Sequence, residues 1–286
     1  MTTRTDLALE CKERLGKEIE GIDSDVINFE NIKITRMHIQ TDRAEQVLNK
    51  PKGHYTTVEV LPFTDSPADE AAINSIKTEL IRMIPKQCSV LVVGLGNTSI
   101  TPDAFGPKAA AGIIATRHIE SEISKSVGLG DLRGVSVLAP GVLGQTGIET
   151  VEIIKGIVDK VNPGCVICLD SLASCNLSRL GCTVQMCDTG ISPGEGVGNR
   201  RTKISQESLG VPVIAIGVPT VVDAVTLANE LTGRDCTERV EPRGAQMVVT
   251  PKEIDLLIDR AAKAVSLAIN SALQPHLKMS VIAELV

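Results

Sequence analysis

Cys88-Ser-Val-Leu-Val-Val-Gly94 decides the fold. It is a short apolar run without alternation, with Pro85 before it and Gly94 and Gly96 closing it. Such a run suits a strand of a parallel sheet covered on both faces. Outward from it, strand character returns at Val135-Ser-Val-Leu138, at Val166-Ile-Cys-Leu169, and over 182–187 and 211–217. Helices are expected between them, over about 106–122, 147–161 and 221–231. Ser66-Pro67-Ala68-Asp69 reads as a helix start, with a cap, Pro first and acids in the first turn. That helix should run to about Ile84, and Thr250 should cap a last long helix from Pro251 to about Ala272. Strand alternating with helix predicts an α/β fold: a mostly parallel central sheet with helices on both faces.

The first quarter of the chain is the most polar. Residues 4–19 favour helix, and segments 27–40 and 54–61 have β-branched, alternating character with a turn at Pro51 and Gly53. One α/β domain is expected over 1–286, with 1–62 as a polar N-terminal β/α portion and 63–286 as the core.

Of the 286 residues, 43% are apolar, yet there is no Trp, one Tyr and three Phe, so the core must be aliphatic. The shortage of rings argues against a base-stacking platform. A net charge of −6 without a basic run argues against direct nucleic-acid binding. Residues 1–20 carry no apolar signal-like segment, and no stretch reaches transmembrane length. No membrane association and a cytoplasmic location are therefore expected, with the eight cysteines as reduced thiols. Cys165 and Cys168 form a CxxC inside a strand, where residues three apart face opposite ways, so buried thiols are expected rather than a metal or redox site.

Ligands of open α/β sheets bind beyond the carboxyl ends of the strands. The segment after the first core strand, Gly94-Leu-Gly-Asn-Thr-Ser-Ile-Thr-Pro-Asp103, resembles a dinucleotide fingerprint but has Ser99 where the third glycine belongs. That weighs against a nucleotide-dependent oxidoreductase. Gly94 and Gly96 permit a tight turn, Asn97 offers an amide to orient a carboxylate, and Asp103 sits near a helix start. Asp170 directly follows the strand 166–169. Either aspartate, taken alone, also fits a helix cap. Together they fit a hydrolytic pair: two acids sharing one water, with mutual repulsion keeping one protonated while the other acts as base.

Asp188-Thr189-Gly190 follows the strand 182–187 and opens a long Gly-rich loop over 188–205, a placement typical of functional loops. These three residues are read as loop or supporting groups. Thr220 is expected to cap a helix with Asp223 in its first turn. His38, His54, His118 and His276 pair with no Ser or Cys at a recognisable spacing, and neither GxSxG, HExxH nor a P-loop occurs.

Longer motifs then carry a resemblance. Gly94-Leu-Gly-Asn97 with Thr101-Pro-Asp103, Leu138-Ala-Pro-Gly-Val-Leu-Gly-Gln-Thr-Gly-Ile-Glu149 and Leu169-Asp-Ser-Leu-Ala173 resemble the germination protease family of spore-forming bacteria. So do Asp188-Thr-Gly-Ile191, Gly196-Val-Gly-Asn-Arg200 and Leu209-Gly-Val-Pro-Val-Ile-Ala-Ile-Gly-Val-Pro-Thr-Val-Val-Asp-Ala224, and the likeness runs from about residue 4 to about 280. The resemblance implies an endopeptidase that degrades small acid-soluble spore proteins in the spore core during germination. It also implies a fold related to hydrogenase-maturation endopeptidases, a homotetramer, and a zymogen that loses a short propeptide. Arg4-Thr-Asp-Leu-Ala-Leu-Glu10 is similar to sequence near that junction, with only three residues before it. The family's essential aspartates match Asp103 and Asp170.

The chemistry expected is therefore acid–base hydrolysis by that pair without cofactor or metal, the oxyanion being met by backbone N–H groups at 94–97 or 188–199. The competing readings are a metal-assisted endopeptidase, as in hydrogenase maturation, and a non-catalytic binding protein on the same fold.

Overall fold

The computed structural model describes residues 5–16, 18–126, 128–194, 202–240 and 247–286. A nine-stranded sheet runs through them. Its strands are β1 (Ile22–Phe29), β2 (Ile32–Ile39), β3 (Gly53–Glu59), β4 (Val90–Gly94), β5 (Val135–Leu138), β6 (Cys165–Ala173), β7 (Thr183–Cys187), β8 (Val213–Asp223) and β9 (Val248–Val249). The helices begin with α1 (Ala8–Leu15), α2 (Asp42–Leu48), α3 (Glu70–Met83), α4 (Phe105–Ala111), α5 (Ser121–Ser126) and α6 (Leu143–Thr146). They continue with α7 (Thr150–Val161), α8 (Gln206–Leu209), α9 (Ala224–Thr232), α10 (Thr237–Val240), α11 (Ile254–Leu273) and α12 (Met279–Leu285).

The strand order is β1-β2-β3-β7-β8-β6-β4-β5, with β9 on the end of β8. Strands β8, β6, β4 and β5 run parallel, and the other pairs are antiparallel. The expected parallel sheet is thus the centre of a mixed one. The N-terminal portion extends it, through β3 pairing with β7.

Burial explains the runs that announced the sheet. On one face Val92, Ile167 and Leu169 pack with Ile76 and Leu80 of α3, Phe105 of α4 and Leu257 and Val265 of α11. On the other, Leu91, Val93, Val166 and Cys168 pack with Ile154 and Val158 of α7. With both faces dry, no alternation can survive in these strands. Cys165 lies in the first core and Cys168 in the second, as the strand geometry requires.

Several boundaries differ from expectation, each for a local reason. The segment 27–40 belongs to a hairpin, β1 and β2, which turns at Glu30 with φ 51° rather than at a glycine or proline. The interval before β3 holds the short helix α2, capped by Thr41, whose Oγ1 accepts from the Ala44 N–H at 3.2 Å. The helix expected over 106–122 is two pieces, α4 and α5. Asp69, not Ser66, caps α3: its Oδ1 accepts from the Ala72 N–H at 2.8 Å. Such a cap is worth about 1 kcal/mol. The β-branched run Val218-Pro-Thr-Val-Val222 keeps β8 extended to Asp223, so Thr220 is a strand residue and Asp223 is the cap of α9, accepting from the Thr226 N–H at 2.7 Å. Thr250 does not cap α11; its Oγ1 donates to the Thr220 carbonyl at 2.9 Å.

Within the parallel part, α4 follows β4 on one face and α7 follows the adjacent β5 on the other. Connections diverging from two adjacent strands leave a crevice at their carboxyl ends, where α/β proteins bind ligands. Asp103 and Asp170 both belong to that edge.

Candidate active site

The turn after β4 holds Asp103 by close backbone packing. A side chain on Gly94 would overlap the Gly106 carbonyl, and one on Gly106 would overlap the carbonyls of Leu95 and Leu169. The start of α4 therefore rests directly on the ends of β4 and β6. Gly96 has φ 118°, and a Cβ there would overlap the Asp103 carbonyl. The Asn97 N–H donates to that same carbonyl at 3.1 Å, and Thr220 Oγ1 donates to the Pro102 carbonyl at 2.8 Å. Asp103 ends the 3₁₀ turn Thr101–Asp103, and α4 has Ala104 at its cap without a side-chain bond. Ala104, not Asp103, thus holds the cap position of α4.

Asp170 lies inside β6, opposite Gly217 of β8, and no helix starts after it for its carboxylate to cap. It is only 5% exposed. Burial pushes its carboxyl well above the ordinary carboxylate range, and the charges of Asp103 and then Asp6 push it further. The Ser171 N–H, donating to Asp170 Oδ1 at 3.0 Å, works the other way. Asp103, in the turn after β4, is thus near enough for its charge to act on Asp170 in β6. Cys168, two residues earlier on β6, is buried, and the Asp170 charge adds to the burial that holds its thiol protonated.

A cavity of about 620 Å³ opens beside Asp170. Asp6, Ser171, Gln185, Thr189, Gly190 and Gly217 are among its walls. It is large enough for a stretch of peptide.

The three residues 188–190 divide between two places. Asp188 turns away from the Asp103–Asp170 pair. Its Oδ1 accepts from the His54 N–H at 2.8 Å and its Oδ2 lies 2.8 Å from His54 Nδ1. The His54 ring stacks on His38 with centroids 4.0 Å apart. Asp188 is thereby a latch from the loop onto β3, beside a second cavity of about 570 Å³. Thr189 and Gly190 stay with the first cavity. Thr189 Oγ1 donates to the Tyr55 hydroxyl at 3.1 Å, and Gly190 has φ 78° where a Cβ would overlap the Ile204 carbonyl. Gly196-Val-Gly-Asn-Arg200 lies outside the described residues.

Asn97 binds a neighbouring loop: its Oδ1 accepts from the Ser99 N–H at 3.0 Å and from Gln145 Nε2 at 2.8 Å. Its help to Asp103 comes through its backbone. Two amides expected to be open to an oxyanion are in use, since the Leu95 N–H donates to the Leu169 carbonyl at 2.8 Å and the Asn97 N–H to Asp103. Among the described residues, no group of three or more His, Cys, Asp or Glu side chains is arranged to hold a metal ion. No helix among them is long and apolar enough to cross a membrane.

Asp6, which lines the cavity beside Asp170, was not singled out by motif reading. It lies just before α1, in a stretch read as the beginning of a helix, and its only sequence signal was membership of Arg4-Thr-Asp-Leu-Ala-Leu-Glu10.

Residues 3–233 match the model of the germination protease family. The germination protease of Caldanaerobacter subterraneus subsp. tengcongensis is 46% identical, over 96% of this chain and 95% of that protein. That of Bacillus subtilis is 38% identical, over 97% of this chain and 94% of its own length. Among solved structures, the NiFe hydrogenase maturation protease HycI from Thermococcus kodakarensis aligns with 67% of this chain and 98% of its own, at 17% identity and a TM-score of 0.39. A match of this extent to the family model, with relatives this similar along nearly their whole length, makes the chain a member of the germination protease family, and so a peptidase.

Proposed function

We propose that the protein is an endopeptidase that degrades small acid-soluble spore proteins during germination, with Asp103 and Asp170 as its acid–base pair. The observation that carries the chemistry is Asp170, buried at the sheet's carboxyl edge with Asp103's charge acting on it beside a peptide-sized cavity. The substrate class, like a homotetrameric zymogen working in the spore core, comes from the family resemblance.

A carboxyl raised above its ordinary range holds its proton to higher pH than its partner, which favours Asp170 as the acid and Asp103 as the base. Asp103 takes a proton from water as the water oxygen bonds to the scissile carbonyl carbon. Asp170 gives its proton to the carbonyl oxygen, so a neutral gem-diol forms and no full oxyanion is left exposed. On collapse, one hydroxyl proton returns to Asp170, the C–N bond breaks, and Asp103 passes its proton to the departing amine. Both aspartates end as they began.

The test is to incubate the protein, processed if it is made as a zymogen, with a purified small acid-soluble spore protein and map the fragments by mass. Discrete internal cuts that vanish in Asp170→Asn are expected. An intact substrate, or cutting that survives in Asp170→Asn, would overturn the reading.

A further inference from the structure

Beyond Leu169, β6 runs on without β4, whose last residue, Gly94, stands opposite Leu169. Its pairing with β8 also shifts register between Leu172 and Ala173. This is the stretch that must hold Asp170 in place. Asp6 meets it there: its N–H donates to the Ala173 carbonyl at 2.9 Å, and its Oδ2 accepts from the Ala173 N–H at 2.7 Å. One residue thereby satisfies both backbone groups of Ala173.

The segment around Asp6 is itself tied down. Gln185 of β7 donates through Nε2 to the Asp6 carbonyl at 3.1 Å and accepts from the Ala8 N–H at 2.7 Å. The buried Glu10 carboxylate accepts from Ser174 Oγ at 2.6 Å and from the Cys175 N–H at 2.7 Å. The segment from Asp6 to Glu10 is thus a strap from the carboxyl end of β6 to Gln185 in the middle of the antiparallel β7.

We propose that Asp6 is a positioning residue of the active site, clamping the strand end that carries Asp170 and presenting a further carboxylate to the cavity that the two residues line. The proposal rests on the reading of Asp170 as the acid of the pair. Asp6 lines the same cavity as Asp170, and its charge adds to burial and to Asp103 in favouring the protonated form of Asp170. The titratable groups nearest Asp170 are Asp103 from the turn after β4, Asp6 from the strap and Cys168 from β6 itself. Round the cavity stand Tyr55 of β3 and Cys187 of β7, then Asp42, Glu45 and Lys50 from α2 and its exit, and Lys203. Of these charged groups, Asp6 is the one hydrogen-bonded to the backbone of β6.

The sign follows. Without the Asp6 charge, Asp170 gives up its proton at lower pH, so activity that needs a protonated Asp170 ends at lower pH. Asp6→Asn keeps an oxygen for the Ala173 N–H and removes the charge; Asp6→Ala removes both. Two readouts are needed: the carboxyl titration of Asp170 followed by carbon NMR, and the pH profile of kcat/KM on a spore-protein peptide. In Asp6→Asn the titration midpoint and the alkaline limb should both fall by about one pH unit. Asp6→Ala should further lower kcat by about tenfold or more with a smaller change in KM, because the strand end loses its clamp. An unmoved Asp170 midpoint in Asp6→Asn would overturn the proposal. A midpoint that falls while the pH profile stays put would support the link from Asp6 and refute the acid role of Asp170 instead.

Discussion

Gly106 of α4 packs so closely on Leu169 of β6 that a single methyl group on Gly106 would overlap the Leu169 carbonyl. This contact joins the helix that directly follows the Asp103 turn to the residue just before Asp170. Backbone presses on backbone on both sides, since the Leu95 carbonyl is equally close, so no flexible side chain can yield. Gly106→Ala should cost about 1–3 kcal/mol by overpacking, and should lower kcat more than it raises KM by shifting one aspartate against the other. Chemical denaturation and steady-state kinetics on the same sample would check both. Wild-type stability in this variant would mean the contact is looser than described.

Asp170 should make the protein less stable as pH rises. In the unfolded chain it ionises in the ordinary carboxylate range; in the folded chain burial and Asp103 hold the proton on to higher pH. Between those two values the unfolded state binds fewer protons, so stability falls by up to about 1.4 kcal/mol per pH unit. Below the ordinary range this cost is absent. Asp170→Asn cannot ionise, so its gain in Tm over wild type should be small at pH 4 and grow toward neutrality. A Tm difference that stays constant across that span would contradict a raised carboxyl at this position.

Asp188→Ala should keep peptide cleavage within about tenfold of wild type, because its carboxylate is spent on His54 and faces the other cavity. The exposed contact with His54 is worth little in itself, about 1 kcal/mol or less. A loss of about a thousandfold would instead place Asp188 among the reacting groups.

How far the sequence revealed this depends on the kind of signal. Strands β4, β6 and β8 were legible because continuous Val and Ile runs are what two covered faces demand. The β1–β2 hairpin was not, because of its two turn residues, Glu30 and Asn31, the one with positive φ is Glu30 and only Asn31 is of a turn-favouring type. Helix caps were misplaced where several candidates compete: Ser66 against Asp69, and Thr220 against Asp223, are separated by which side chain reaches an amide. Asp103 and Asp170 could be nominated from the rule that sites lie at strand ends, and both do lie at that edge. The packing that fixes one strand end against the other could not, since it depends on α4 resting on β6 through Gly106. Asp6 was out of reach for the same reason: its partner, Ala173, is remote in sequence and its role is set by tertiary contact alone.

The most direct measurement is kcat/KM on a spore-protein peptide for Asp103→Asn, Asp170→Asn and the double variant, with folding of each verified. Two groups acting as one acid–base unit predict that each single change costs about 10²–10⁴-fold and that the double is scarcely worse than either. A single variant that keeps near-wild-type turnover, or losses that multiply in the double, would contradict the pair.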